Sequence, residues 1–246
     1  MKNYSIILSF LFILTSYTYS IAQVQTYLGI YAGYGMLNMK EVNDDLKDTY
    51  DAIRSFNIPI SSPEDITGGL FLDGSLTFQS NKFLFGAEVN YISSSGNITY
   101  NDFTGSLEEK YDVNTIEFLG ILGVKVPISE LTSLVFKGYA GYGLASVEHN
   151  AAFIFYSSPS DNIIVKHEVD GGYFSSRLQG GFDFNINPVV ISISVGYRIA
   201  NSGQLKGSLT QDGTSYDNMG IRNTRGNDIE FDFTGVTFMG GFQFLL

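Results

Sequence analysis

The chain has 246 residues with 27 Gly, 20 Phe, 16 Tyr, no Trp and no Cys, and 14 basic against 25 acidic side chains give it a net charge of −11. That balance excludes a basic nucleic-acid face, and the missing Cys excludes a disulfide framework. Glycine with many aromatic residues is a strand-and-turn composition.

Residues 1–22 read as a cleavable secretory signal: Lys2, an apolar run from Ile6 to Leu14, then Ser20-Ile21-Ala22 as a small-residue cleavage site. The mature chain then starts near Gln23, and 23–246 is expected to be one all-β domain. No Cys follows the apolar run, which excludes a lipid anchor. Beyond it nothing approaches the ~20 apolar residues of a membrane helix. Any membrane span of the mature chain is therefore β.

Alternation with period two marks eight strands. The first covers about Thr26 to Met36, with Leu28, Ile30, Ala32, Tyr34 and Met36 on one face. The second covers about Gly69 to Phe78, the third Phe83 to Ile92, the fourth about Val113 to Val126. Ser133 to about Val147, Tyr173 to Ile186 and Val189 to Ala200 follow, and Gly235 to Leu246 closes the set. Short turns (Gln79 to Lys82, Pro127 to Thr132, Asn187-Pro188) alternate with long polar links, the pattern of a membrane barrel with short inner turns and long external loops.

Tyr91, Tyr142 and Tyr197 each stand eight residues after the outward Phe83, Leu134 and Val189, and Tyr34 stands so after Thr26. At ~3.3 Å per residue and ~40° tilt the spacing rises roughly 20 Å, near the ~25 Å apolar band of such barrels. Tyr34, Tyr91, Tyr142 and Tyr197 are thus the expected outer interfacial girdle.

The opposite parity collects Asp73, Glu88, Glu117 and Asp183 with Lys125, Lys137, Arg177 and Arg198. An eight-stranded barrel is just wide enough for side chains to fill. A balanced set of charges there suits an ion-paired plug, with a narrow, gated pore as the alternative. In the first external loop, Met39, Val42, Leu46, Tyr50 and Ile53 recur at helical spacing, so a short amphipathic helix is expected over the mouth, either as a lid or simply packed on neighbouring loops. The third loop holds His149 and His167 beside Glu148 and Glu168. A hairpin turning at Ser158 sets these pairs opposite each other, yet solvated histidines are the expectation and no metal site is assigned. Loop four, Asn201 to Asp228, reads as a mobile polar loop. The change of parity near Thr234-Gly235 reads as a rim bulge.

Along the last strand Val236, Phe238, Phe242, Phe244 and Leu246 share one face. Such an edge is expected to pair with the first strand and close a barrel. Gly241, Phe244 and Leu246 resemble the C-terminal assembly signal of bacterial outer-membrane barrels, with Leu in place of the usual final aromatic residue. Together with the signal segment, eight strands and a glycine-rich first strand, they make 23–246 resemble the small eight-stranded outer-membrane barrels (OmpA-, OmpX- and OmpW-like) of Gram-negative bacteria.

The resemblance implies outer-membrane location, contact with outer-membrane lipid and insertion by the barrel-assembly machinery; a monomer without a cofactor is the accompanying expectation. The expected role is non-enzymatic: a structural envelope protein, or one that passes or holds a small molecule, apolar ones included, in a narrow porin-like lumen. The alternative is a surface protein that binds a partner through its acidic loops. His149 and His167 with Ser157, Ser158 and Ser160 supply ingredients for hydrolysis without a recognisable arrangement, so no catalytic residue is assigned.

Overall fold

Alternating outward apolar residues with small or polar inward ones make each strand a two-faced ribbon, and pairing such ribbons in sequence curls them into a ring. The computed structural model describes residues 24–246 apart from Thr224; the segment read as a signal lies outside the described residues. In chain order the elements are β1 (Gln25–Met36), α1 (Lys40–Arg54), β2 (Gly68–Ser80), β3 (Phe83–Asn101), β4 (Gly105–Pro127), β5 (Thr132–Phe155), β6 (Ile163–Ile186), β7 (Val189–Gln204), β8 (Lys206–Gln211), β9 (Thr214–Met219), β10 (Glu230–Asp232) and β11 (Gly235–Leu245).

Strands β1 to β7 and β11 form the ring, each antiparallel to its neighbours. It closes where β1 pairs β11, from Tyr27 opposite Leu245 to Gly35 opposite Thr237. Gly241 shows why the closing strand needs a glycine. A Cβ there would lie 2.3 Å from the Ile30 carbonyl oxygen and 2.5 Å from the Tyr31 ring, which folds into the lumen. Closure leaves no strand edge among the described residues of the ring, so its strands pair on both sides, the condition for sitting in hydrocarbon.

The ring's outer face is apolar. Leu28, Ile30, Leu70, Phe118, Leu122, Phe174, Leu178, Ile193, Phe238 and Phe242 are all exposed. Burying such a belt from water gains roughly 25 cal/mol per Å², and no protein layer covers it. The molecule is a transmembrane β-barrel with one short helix in the first long loop.

Four of the expected boundaries fall short. β3 to β6 run 19, 23, 24 and 24 residues, against 12 for β1 and 13 for β2. The expected strands stopped near Ile92, Val113, Val147 and Tyr173 because the outward apolar series stops there. The strands go on, but their faces exchange character. Outward positions become Asn114, Asp112, Ser146, Glu148, Asp170 and Glu168, while inward ones become Val113, Tyr111, Val147 and Val169, all buried. Loop four is also not a loose loop. β8 extends β6 from Lys206 opposite Asp170 to Gln211 opposite Val165, β9 pairs with β8, and Leu205, Ile221 and Ile229 are buried. Its isolated apolar residues gave no periodic signal, and the β8 partner is distant in sequence. The parity change near Thr234 is a break between β10 and β11, and β10 itself pairs with β7 with a shifted register.

Candidate functional site

Three layers of charge fill the membrane part of the lumen. Nearest the short turns, Lys125 Nζ lies 3.0 Å from Asp183 and donates to Asn185 Oδ1 at 3.2 Å. Asp183 also accepts from Ser192 at 2.6 Å and from Gln243 at 3.3 Å. In the middle layer Arg177 lies on the Tyr139 ring at 4.1 Å and serves two carboxylates, Asp73 at 3.3 Å and Glu88. In the upper layer Arg198 donates to Glu117 Oε1 at 2.6 Å, to the Tyr173 hydroxyl at 3.0 Å and to the Phe233 carbonyl at 2.8 Å. Glu117 accepts further from Asn90 at 2.8 Å.

All eight inward charges expected from the sequence point into this lumen, but they do not pair one to one. Two acids share Arg177, and Lys137 sits 5.5 Å from the Tyr31 ring centre with no carboxylate in ion-pair range among the described residues. A cavity of about 20 Å³ lies between Tyr31, Lys137, Gln179 and Asp183, room for one water.

Above the Arg198 layer the polarity inverts. Phe71, Tyr173, Phe233 and Met239 at the lumen's top join Met39, Val42 and Leu46 of the first loop, Tyr111, Val113 and Val147 of the long strands, and Ile221 and Ile229 of loop four in one buried apolar cluster. Residues 39, 42 and 46 therefore do face the mouth. Tyr50 is only partly buried against the cluster, and Ile53 is half-exposed. The buried face of α1 is completed instead by Asp45 and Thr49. Hydrophobic spacing alone missed them, because Asp45 is accepted inside through a hydrogen bond from the Tyr111 hydroxyl at 2.7 Å. Asn43 ties α1 to Ile66 through both its amide nitrogen (3.0 Å) and oxygen (2.8 Å). The Arg225–Asp48 pair at 2.6 Å ties it to loop four.

Contrary to expectation His149 is buried, while His167 is only partly covered. Register sets His149 opposite His167 and Glu148 opposite Glu168. The acid pair is relieved by Lys166, 3.3 Å from one carboxylate and 2.6 Å from the other, on the exposed face. The histidines lie on the inner face, with His149 buried, stacked on Tyr111 at 4.2 Å and bonded through Nε2 to Glu109 at 3.0 Å. Its Nδ1 lies 3.2 Å from Nδ1 of His167, with the rings within 10° of parallel and their centres 5.5 Å apart. That separation equals the nitrogen gap plus two ring radii, so the nitrogens meet head-on. Such geometry suits one N–H···N bond, and no group of three or more His, Asp or Glu among the described residues gathers around a metal position. Because Glu109 accepts the Nε2 proton of His149, its Nδ1 is left to accept from His167. Burial, then the neighbouring charge of His149, brings the His167 pKa down to about 4. Ser157, Ser158 and Ser160 lie in the turn beyond β5, and no hydrogen bond links them to either ring among the described residues.

The outward tyrosines Tyr34, Tyr91, Tyr142 and Tyr197 are all exposed, and the Tyr91 hydroxyl donates to Asn114 at 2.7 Å, on the line where outward side chains turn polar. Phe244 and Leu246 are exposed at the opposite, short-turn rim, where Phe244 lies opposite Leu28 and Val189.

A closed ring with an apolar belt, a charged lumen and an apolar cap defines a small transmembrane β-barrel. No family model matches the chain, and no characterised protein matches it in sequence. Among solved structures it is similar to Neisserial surface protein A (11% identity over 90% of this chain and 97% of that one, TM-score 0.37). It is also similar to OprG from Pseudomonas aeruginosa (13%, 89% and 95%, TM-score 0.42) and to Ail of Yersinia pestis (12%, 91% and 99%, TM-score 0.35).

Proposed function

We propose that this protein is an integral outer-membrane barrel with a closed lumen and a non-enzymatic, structural role, carrying a folded cap on its external side. The observation that supports it best is the double seal: three charged layers within the membrane and an apolar cap above them. An unpaired charge in such a lumen is costly, so the layers favour the closed state. Conductance in planar bilayers tests it, comparing the intact chain with one lacking Met39 to Arg54. Silence from both is expected, because the Arg177 and Arg198 layers stay in place. Current from the shortened chain would make α1 a lid over a real pathway and overturn the plug.

A second reading, partner binding through the cap, is favoured by where the charge sits. Within the membrane-level barrel and its short turns acids and bases balance, five (Asp73, Glu88, Glu117, Glu130, Asp183) against five (Lys82, Lys125, Lys137, Arg177, Arg198). On the long-loop side 20 acids face 8 bases. The whole acidic excess of the mature chain is in the cap, the part free to meet another molecule.

A further inference from the structure

The β5–β6 hairpin ends in Ala151-Ala152-Phe153-Ile154-Phe155-Tyr156 and returns through Ile163-Ile164-Val165. Alternation is lost there, so both faces of the tip are apolar. Ile154, Tyr156 and Ile164 continue the face that carries Glu148, Lys166 and Glu168, while Phe153, Phe155 and Ile163 continue the inner one. Tyr156 is 50% exposed, Ile164 54%, and Phe103 at the adjoining β3–β4 turn 90%. The lipid belt does not explain these residues. Between them and the belt lies the charged stretch of the same strands, including Lys110–Asp112 at 2.7 Å.

The tip is held in shape rather than trailing. Tyr156 N–H donates to the Thr104 carbonyl at 3.0 Å, and its hydroxyl to Asn101 Oδ1 at 3.1 Å. Phe155 N–H donates to Asn162 Oδ1 at 2.7 Å, and Ile164 N–H to Asp212 Oδ1 at 3.0 Å. Pre-ordered aromatic and aliphatic side chains in an exposed patch are the usual anchors of a protein interface. Asp102, Asp161 and Asp212 ring this patch. Hydrogen bonds from Thr104 and then Tyr100 hold the Asp102 carboxyl down to about 2, so it stays charged in any physiological medium. A second copy of the chain would set acid against acid here, as would an anionic bilayer.

We infer that the β5–β6 tip is a docking surface for a protein partner whose exposed apolar side chains are bordered by lysine or arginine. This rests on the second reading above and names its site and partner chemistry. Charge around the rim steers such a partner in, and the apolar centre holds it.

The full chain in phosphatidylcholine nanodiscs tests the inference, with a fourteen-residue amphipathic Lys/Leu peptide as probe and its Glu/Leu counterpart as control. The Lys/Leu peptide is expected to bind, and the double variant Phe155→Ser/Ile164→Ser to weaken it by roughly tenfold. Phe103→Ser, at a site open on all sides, is expected to weaken it in the same direction with no burden on folding. Equal binding of the Glu/Leu peptide, equal binding by the tip variants, or preferential capture of anionic vesicles would overturn the inference. Purified barrels present both ends, so these results do not depend on orientation. Proteolysis of the cap on intact cells tests orientation separately.

Discussion

The membrane barrel and the cap are the same strands run under opposite rules. In the barrel, outward positions are apolar and the interior holds Arg177, Arg198, Glu117 and their partners. In the cap, outward positions carry Lys110, Asp112, Lys166 and Glu168, and the interior is Val113, Val147, Val169 and Leu46. The inversion happens within one or two residues on each long strand: Ile116 to Asn114 on β4, Leu144 to Ser146 on β5. Solvent alone dictates it. Where lipid lies outside, the polar groups must go in, and where water lies outside, they go out. Arg198 stands at the seam, its guanidinium joining Glu117 below to the Phe233 carbonyl above, 5.5 Å from the Phe233 ring centre.

The largest expected effect is therefore at the seam. Arg198→Ala leaves Glu117 buried without its cation, which costs about 3–5 kcal/mol in comparable sites. The heat-modified mobility of the folded barrel in gels and its urea midpoint are expected to fall together, because barrel and cap both lose a partner. Leu46→Ala separates the two regions. Its cavity costs about 2–5 kcal/mol, all of it in the cap. Trypsin is expected to reach Lys47 and Arg54 while the barrel keeps its folded mobility. Loss of the barrel as well would mean that the two regions fold as one unit. The lipid rule is tested by Leu122→Arg, on the exposed apolar belt, where a charge costs about 2–4 kcal/mol near the bilayer midplane. Asn114→Arg, of the same parity but above the line, is expected to change the refolding midpoint in vesicles very little.

Reading alternation recovers the ring, its closure and the direction of all eight lumen charges, because period two is strong wherever one face meets lipid. It loses β8 to β10 and the upper halves of β3 to β6. There the outward face turns polar, and the apolar inner face can be read only by following parity past the line. The apolar stripe of α1 was legible at Met39, Val42 and Leu46 and not at Asp45, whose burial depends on Tyr111, a residue sixty-six positions away. The histidine pair was legible as a register and not as a buried contact. Nothing in His149 or His167 alone announces that Tyr111 and Glu109 cover His149.

That pair gives the cap a pH dependence of its own. The folded state holds the His167 pKa near 4, below the ~6.5 of an unfolded histidine. The unfolded chain therefore takes up a proton first as pH falls, so this contribution to stability is intact above ~6.5 and is lost progressively toward 4. Two protons on the axis would also set N–H against N–H at 3.2 Å. Amide exchange in α1 and the upper β5–β6 hairpin is expected to quicken between pH 7 and pH 4.5. His167→Gln is expected to flatten that response.

The smallest effect belongs to the cap's outer face. Lys166 bridges Glu148 and Glu168, yet all three side chains are about half-exposed. Water and salt screen such contacts, so Lys166→Ala is expected to cost less than about 1 kcal/mol, and less still in 0.5 M salt. If the loss were as large as for Leu46→Ala and insensitive to salt, the cap's outer face would be helping to hold its core in register. The contrast between a water-facing polar skin and an apolar interior would then need a second source of order, the repulsion between Glu148 and Glu168 that a lysine on the neighbouring strand position holds in check.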